Sequence, residues 1–123
     1  IRHLRDEDGA VGHSDCGHGF IVGEDDQIGG CVLWDLHGPL ERGRARVLFH
    51  TDNMGYVSVR GETCLHSGES MLSLVDLDIG GRQPLMAHGY SGSEYDLRVK
   101  ANLSPCGRVA CWMANGAIRL LVL

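Results

Sequence analysis

Cysteine and histidine recur in a local pattern that could bind a metal ion. The chain holds seven histidines and five cysteines, and a Cys-x-His triplet occurs twice, at Cys16 and His18 and again at Cys64 and His66. On an extended strand, residues two apart point to the same side. Two such pairs would supply the ligands of a tetrahedral Cys2His2 zinc site. The other interpretation is that the cysteines are small buried residues and the histidines lie on loops.

A second set of residues could perform nucleophilic catalysis. Ser91 lies between glycines in the segment 89–93, which reads GYSGS, and His37 follows an apolar run. Asp76 and Asp78 lie between them in the chain. A serine becomes a nucleophile when a histidine takes its proton and an aspartate orients that histidine. If the fold brought these side chains together, they could perform acyl transfer.

Three segments resemble parts of the trypsin-like serine proteases. Residues 16–23 read CGHGFIVG and residues 31–38 read CVLWDLHG. Together they resemble the first hairpin of that family, in which a Gly-x-Gly-Phe-Ile-Val strand precedes a strand end bearing the catalytic histidine. Residues 89–92 resemble its Gly-x-Ser-Gly nucleophile turn. The resemblance implies a small serine hydrolase whose base, nucleophile and orienting acid are His37, Ser91, and Asp76 or Asp78.

The spacing of these residues favours a function without catalysis. Ser91 lies only 13 to 15 positions after the two aspartates, whereas the resembled family builds a large part of a second barrel there. Glu94 stands where that family often has proline. We therefore expect a non-catalytic binding or assembly module that acts through sheet edges or loops, with a protein partner or self-assembly and no cofactor. A serine hydrolase is the alternative, and a zinc-stabilised module is a further alternative.

The charge of the chain excludes one class of partner. A net charge of −5 and a pI of about 5.7 argue against general binding to nucleic acid. Arg42, Arg44 and Arg46 are the local exception, because on a strand they would project from one face and could hold a phosphate or carboxylate. The other interpretation is an edge strand that its charges protect from aggregation.

The remaining composition bounds the compartment. The longest apolar stretches are a handful of residues, so we expect no membrane span and a soluble chain. Five cysteines cannot all pair within one chain, which favours reduced thiols in a cytosolic or nuclear setting. The chain begins at Ile1 without a methionine, so we expect a processed or excised N-terminus.

The elements that must position these residues are predicted to be strands. Eighteen glycines and short apolar runs between turn signals indicate an all-β fold: one antiparallel barrel or sandwich of about seven to nine strands, forming a single domain over residues 1–123. Asn115 and Gly116 predict a type I′ hairpin between two apolar strands. A second hairpin is expected to join residues 47–49 to 56–59. The predicted strands are 19–23, 31–36, 45–51, 55–60, 70–79, 95–101, 108–114 and 117–123.

Overall fold

Short antiparallel strands make up the described part of the chain. The structure is a computed structural model that describes residues 13–25, 27–38, 45–51, 55–68, 70–90 and 99–123. These residues form eleven strands and no helix, so the predicted all-β class is confirmed, with more strands than predicted. The strands are β1 (Ser14–Gly17), β2 (Phe20–Asp25), β3 (Gly30–Asp35), β4 (Arg46–His50), β5 (Tyr56–Arg60), β6 (Thr63–Ser67), β7 (Met71–Val75), β8 (Arg82–Ala87), β9 (Asn102–Leu103), β10 (Val109–Ala114) and β11 (Ala117–Val122). A search of these residues finds no helix long and apolar enough to cross a membrane.

The strands form three sheets, none of which closes into a barrel within the described residues. The first sheet runs β1-β2-β3-β4, the middle sheet β5-β6-β7-β8, and the third β9-β10-β11. One core holds Val22, Cys31, Leu48, Val59, Cys64 and Val75, from the first and middle sheets. A second core holds Leu65, Leu72, Val99, Ala101, Leu103, Ala110, Trp112 and Ala114, from the middle sheet and the chain around the third. The middle sheet is therefore covered on both faces.

Alternation along the middle strands explains this layering. Successive side chains on a strand point to opposite faces, and in β6 Cys64 enters the first core while Leu65 enters the second. In β7, Leu72 and Val75 divide in the same way. The sequence predicted a strand over residues 70–79 here, and β7 pairs with both β6 and β8. It ends at Val75, however, and the predicted extension to residue 79 is a turn.

The terminal hairpin forms as predicted. Ala114 pairs with Ala117, which leaves Asn115 and Gly116 as a two-residue turn. Both turn residues have positive φ, 51° and 75°, as a type I′ turn requires. The pairing continues along the full length of both strands to Val109 and Val122.

The second predicted hairpin is wrong. β4 pairs with β3 in the first sheet, whereas β5 pairs with β6 in the middle sheet. Gly55 lies in the segment that was expected to join these two strands, and a Cβ built there would lie 2.1 Å from the carbonyl oxygen of Ser67. Glycine is needed at this position because another strand approaches its backbone closely.

Buried polar groups tie the layers together. The hydroxyls of Ser58 and Ser67 accept hydrogen bonds from the N–H groups of Leu103 and Ala101, each at 3.1 Å. Both serines are buried, so these bonds satisfy backbone groups that water does not reach. On the same side of the molecule, the indole of Trp112 donates to the carbonyl of His88 at 2.9 Å.

Candidate functional site

An open cleft gathers several of the residues singled out above. It lies beside the turns that follow β3 and β7 and has a volume of about 760 Å³. His37, Asp76 and Asp78 all line it, so the structure brings these candidates into one cleft. Arg46 also lines it, beside an apolar floor that includes Phe20 and Leu33. Ser91, the candidate nucleophile, lies outside the described residues.

His37 sits in the turn after β3, at the strand end that the sequence indicated. Its backbone N–H donates to the carboxylate of Asp35 at 2.8 Å. The ring packs over Gly19, where a built Cβ would lie 2.9 Å from the His37 Nε2 atom. The side chain is otherwise exposed, so its ring is open to solvent and to a ligand in the cleft.

The two candidate aspartates do not orient this histidine. Asp76 Oδ1 accepts hydrogen bonds from the N–H groups of Asp78 and Ile79, each at 2.9 Å. These two bonds hold the pKa of Asp76 below its usual value, because they favour the charged carboxylate. Among the described residues, no hydrogen bond joins the His37 ring to Asp76 or Asp78. The carboxylate of Asp76 stabilises its own turn instead.

Arg46 is the described member of the arginine series, and its guanidinium is engaged within the chain. It donates to the carbonyl of Asp78 at 2.8 Å and to that of Leu77. These bonds clamp the turn after β7 against β4. Arg42 and Arg44 lie outside the described residues. The predicted anion site is therefore represented by one arginine, whose two terminal nitrogens each donate to a backbone carbonyl.

The four predicted zinc ligands are divided between the surface and the interior. Cys16 and His18 are exposed in the first hairpin, whereas Cys64 and His66 are buried in β6. A search of the described residues finds no group of three or more His, Cys, Asp or Glu side chains that could hold a metal ion. Burial raises the pKa of the Cys64 thiol to about 12.

His66 has a partner that the sequence reasoning did not single out. Its Nε2 atom lies 3.2 Å from Oε1 of Glu24, and both side chains are almost wholly buried. The same oxygen accepts the N–H of Gly55 at 2.6 Å, and the His66 ring contacts Phe49 edge-on. Glu24 belongs to the first sheet and His66 to the middle sheet, so the pair links two layers. The sequence signal for this buried pair was Glu24 itself, a glutamate directly after the apolar run 20–23.

The terminal hairpin presents an apolar surface to solvent. On β10 and β11, one side of the sheet carries the partly buried Val109 and five more exposed side chains. We call these five the hairpin face: Cys111, Met113, Ile118, Leu120 and Val122. Cross-strand pairing places Cys111 opposite Leu120 and Met113 opposite Ile118. Met113, Ile118, Leu120 and Val122 are 63 to 77% exposed. The alternate residues Ala110, Trp112 and Ala114 face the core. This alternation is visible in the sequence, but it does not reveal whether the other side of the sheet is covered.

The edge of β11 also lacks the usual protection. Among the described strands β11 lies at the end of its sheet and pairs with β10 alone. Exposed edges are commonly blocked by proline, bulges or charges, and β8 has both Pro84 and a bulge in its pairing. β11 contains neither, and Arg119 is its one charged residue.

The hairpin face and the cleft are thus two surface features of the described residues that could contact another molecule. Comparison with protein family models, with curated proteins and with solved structures gave no match.

Proposed function

We propose that this chain is a non-catalytic binding or assembly module whose contact surface is the hairpin face. The observation that carries the proposal is the exposure of four large apolar side chains on one side of β10 and β11. Single exposed apolar residues are ordinary, but contiguous apolar patches mark surfaces that contact another molecule. The chemistry of the face calls for an apolar polypeptide surface as the partner.

The hairpin is suited to this role because its other side is fixed. Trp112, Ala110 and Ala114 lie in the second core, and the Asn115 side chain donates to the carbonyl of Gly89 at 2.7 Å. The strands are therefore held in place before a partner arrives. A contact surface that is already ordered loses little conformational entropy on binding.

A binding experiment with one probe and two substitutions tests the proposal. The probe is a fluorescein-labelled extended peptide in which leucine alternates with serine, and the self-association of the chain is measured in parallel by sedimentation velocity. Leu120→Glu places a charge in the middle of the hairpin face and should abolish association. Ile79→Glu is the matched control, because Ile79 is 87% exposed in the turn between β7 and β8, away from the face.

The result expected is that the chain associates with the peptide, with itself, or with both, and that Leu120→Glu removes the association while Ile79→Glu does not. Circular dichroism verifies that both variants keep the β fold. If neither association occurs, or if both substitutions act equally, the proposed function is wrong.

A serine hydrolase is the second candidate, and it is supported by the cleft that His37 shares with Asp76 and Asp78. The test is labelling of the purified chain by a fluorophosphonate probe, with Ser91→Ala and His37→Ala as variants. We expect no labelling that depends on these residues. Stoichiometric labelling that both variants abolish, with the fold retained, would replace the binding module by the hydrolase.

A further inference from the structure

We propose that the occupant of the hairpin face is a second copy of this chain, packed face to face about a twofold axis. The inference rests on the proposed function and names its partner. In such a dimer the apolar sides of the two hairpins stack as the two sheets of a β-sandwich do, about 10 Å apart. The same five side chains serve both copies, which is the condition for a twofold interface.

The distribution of charge favours this partner. Residues 109–123 contain one charged side chain, Arg119, and removing this positive charge from the net −5 leaves −6 on residues 1–108. Two copies therefore repel each other over most of their surface. They can approach with least repulsion at the hairpin, because residues 109–123 include no acidic side chain.

Arg119 does not interrupt the face. It pairs across the strands with buried Trp112 and therefore lies on the opposite side of the sheet from Leu120. Its guanidinium carbon lies 3.5 Å from the position of a Cβ built on Gly89. The face of each copy is thus free of charge, and a partner that depended on salt bridges for recognition would find no group to pair with there.

The area is sufficient for a specific contact. Two copies of the face, each with four large side chains mostly exposed, would together remove on the order of 1,000 Å² from water, the lower end of the range for specific interfaces. Cys111 is the smallest side chain of the five and lies opposite Leu120 in the sheet. We therefore expect a dimer that dissociates in the micromolar range.

The exposed cysteines give a test that needs no substitution. Cys16, Cys106 and Cys111 are exposed, but only Cys111 lies on the hairpin face. Alkylation by iodoacetamide, read out by mass spectrometry of each cysteine peptide, is followed as the protein concentration rises from about 1 µM to about 1 mM. We expect Cys111 to become protected at least about tenfold while Cys16 and Cys106 do not change.

Sedimentation equilibrium supplies the second measurement. The wild-type chain should form a dimer that strengthens with added salt, because salt screens the repulsion between the acidic surfaces. Leu120→Glu and Ile118→Glu should each weaken it at least about tenfold, and Ile79→Glu should not.

Three outcomes overturn the proposal. A chain that stays monomeric at about 1 mM has no such interface; if the leucine–serine peptide still binds at Leu120, the proposed function stands and only the self-association is wrong. A dimer that tolerates Leu120→Glu, or in which Cys111 stays reactive, uses another surface. A mass that grows without limit indicates open-ended edge pairing of β11 instead of a closed twofold dimer.

Discussion

At the scale of single residues, several side chains of types that often act in catalysis form hydrogen bonds with the backbone instead. Asp76 caps a turn, and Arg46 holds the same turn from the neighbouring strand. The Asp15 carboxylate also bonds to the backbone, because it accepts the N–H of Val59 at 2.7 Å, and it lies 3.2 Å from the guanidinium of Arg60. The sequence made Asp76 a candidate for orienting the histidine. Residue type alone does not distinguish such a carboxylate from one that stabilises a turn.

Replacing Asp76 tests this assignment. Asp76→Ala removes both turn hydrogen bonds and should lower the melting temperature, whereas Asp76→Asn keeps an acceptor oxygen and should lower it less. Because the folded pKa lies below the usual 3.8, the stabilisation is complete above that value and is lost as the pH falls through the folded pKa.

The melting-temperature difference between wild type and Asp76→Ala should therefore narrow as the pH falls below about 3.8. The difference between the Asn and Ala variants should change little with pH, because the amide does not titrate. A difference between wild type and Asp76→Ala that stays constant with pH would show that the carboxylate does not carry the effect. Thermal unfolding followed by circular dichroism gives these values.

The five thiols should separate into two classes of reactivity. Burial, with the nearby Cys64 and Glu24 adding to it, raises the pKa of Cys31 above its usual value, and the pKa of Cys64 is also raised. The Cys106 pKa is lowered, chiefly by the hydrogen bond with the hydroxyl of Ser104 at 3.4 Å. Because the thiolate is the reactive form, iodoacetamide should modify Cys106 first and leave Cys31 and Cys64 until the chain unfolds.

Ser104→Ala supplies the control for this order, since it should slow the modification of Cys106 alone. The raised pKa values of the buried thiols also bear on stability. In the unfolded chain these thiols ionise near pH 9.0. Their contribution to the free energy of unfolding is therefore complete below that pH and is lost as the pH rises further, because the unfolded chain then releases protons that the folded chain retains. Rapid labelling of Cys31 or Cys64 in the folded chain would contradict the burial described above.

At the scale of the elements, hairpin chemistry was the most reliable guide. The Asn-Gly turn fixed both the pairing and the register of β10 and β11, because the turn type sets them locally. β6 was missed because a strand buried on both faces shows no alternation, and because its residues include cysteine, histidine and serine. β8 was missed because its exposed polar residues and Pro84 are atypical of a strand.

The predicted hairpin between β4 and β5 failed for a related reason. Sequence shows where two strands are near in the chain, but not whether the chain crosses to another sheet between them. Of the candidate site, the sequence identified His37, Asp76 and Asp78, which share the cleft. It could not identify the hairpin face, because exposure depends on what the rest of the fold leaves uncovered.

Gly116→Val tests the turn itself. A Cβ at Gly116 would meet no atom within 4 Å, so the cost comes from the positive φ alone. We expect a loss of roughly 1 to 3 kcal/mol in the free energy of unfolding, measured by denaturant titration. Gly38→Val is the control, because Gly38 has no positive φ and a Cβ there would meet only one atom, at 3.9 Å. Equal losses would mean that valine is disfavoured at both sites for reasons other than backbone conformation.

At the scale of the whole molecule, the two cores are joined through the middle sheet, and polar contacts hold the outer layers to it. Glu24 and His66 link the first and middle sheets, and Ser58 and Ser67 link the middle sheet to the chain around β9. Each link is buried, so removing one partner leaves another polar group without a hydrogen bond. We therefore expect these positions to matter more for stability than their polar character suggests.

Glu24→Ala tests the link between the first two layers. It removes the acceptor of the Gly55 N–H and the partner of His66, and leaving a buried polar group without its hydrogen bond costs about 1 to 3 kcal/mol. Glu24→Gln keeps an acceptor oxygen and should lose less, and Glu62→Ala, at an exposed turn position, should change stability by less than about 0.5 kcal/mol. Equal losses for the Ala and Gln variants at Glu24 would mean that the hydrogen bonds do not account for the effect.

The two tryptophans give the layers separate optical signals. Trp34 lies in β3 of the first sheet, buried, and its indole nitrogen has no hydrogen-bond partner among the described residues. Trp112 lies in the third sheet, and its indole donates to a carbonyl. An indole without a hydrogen bond in apolar surroundings fluoresces at shorter wavelength than one that is hydrogen-bonded. The emission spectrum of the folded chain should therefore resolve into a blue component that Trp34→Phe removes and a redder one that Trp112→Phe removes. When the two emission components are measured during a denaturant titration, they will report whether the first and third sheets unfold together or one before the other.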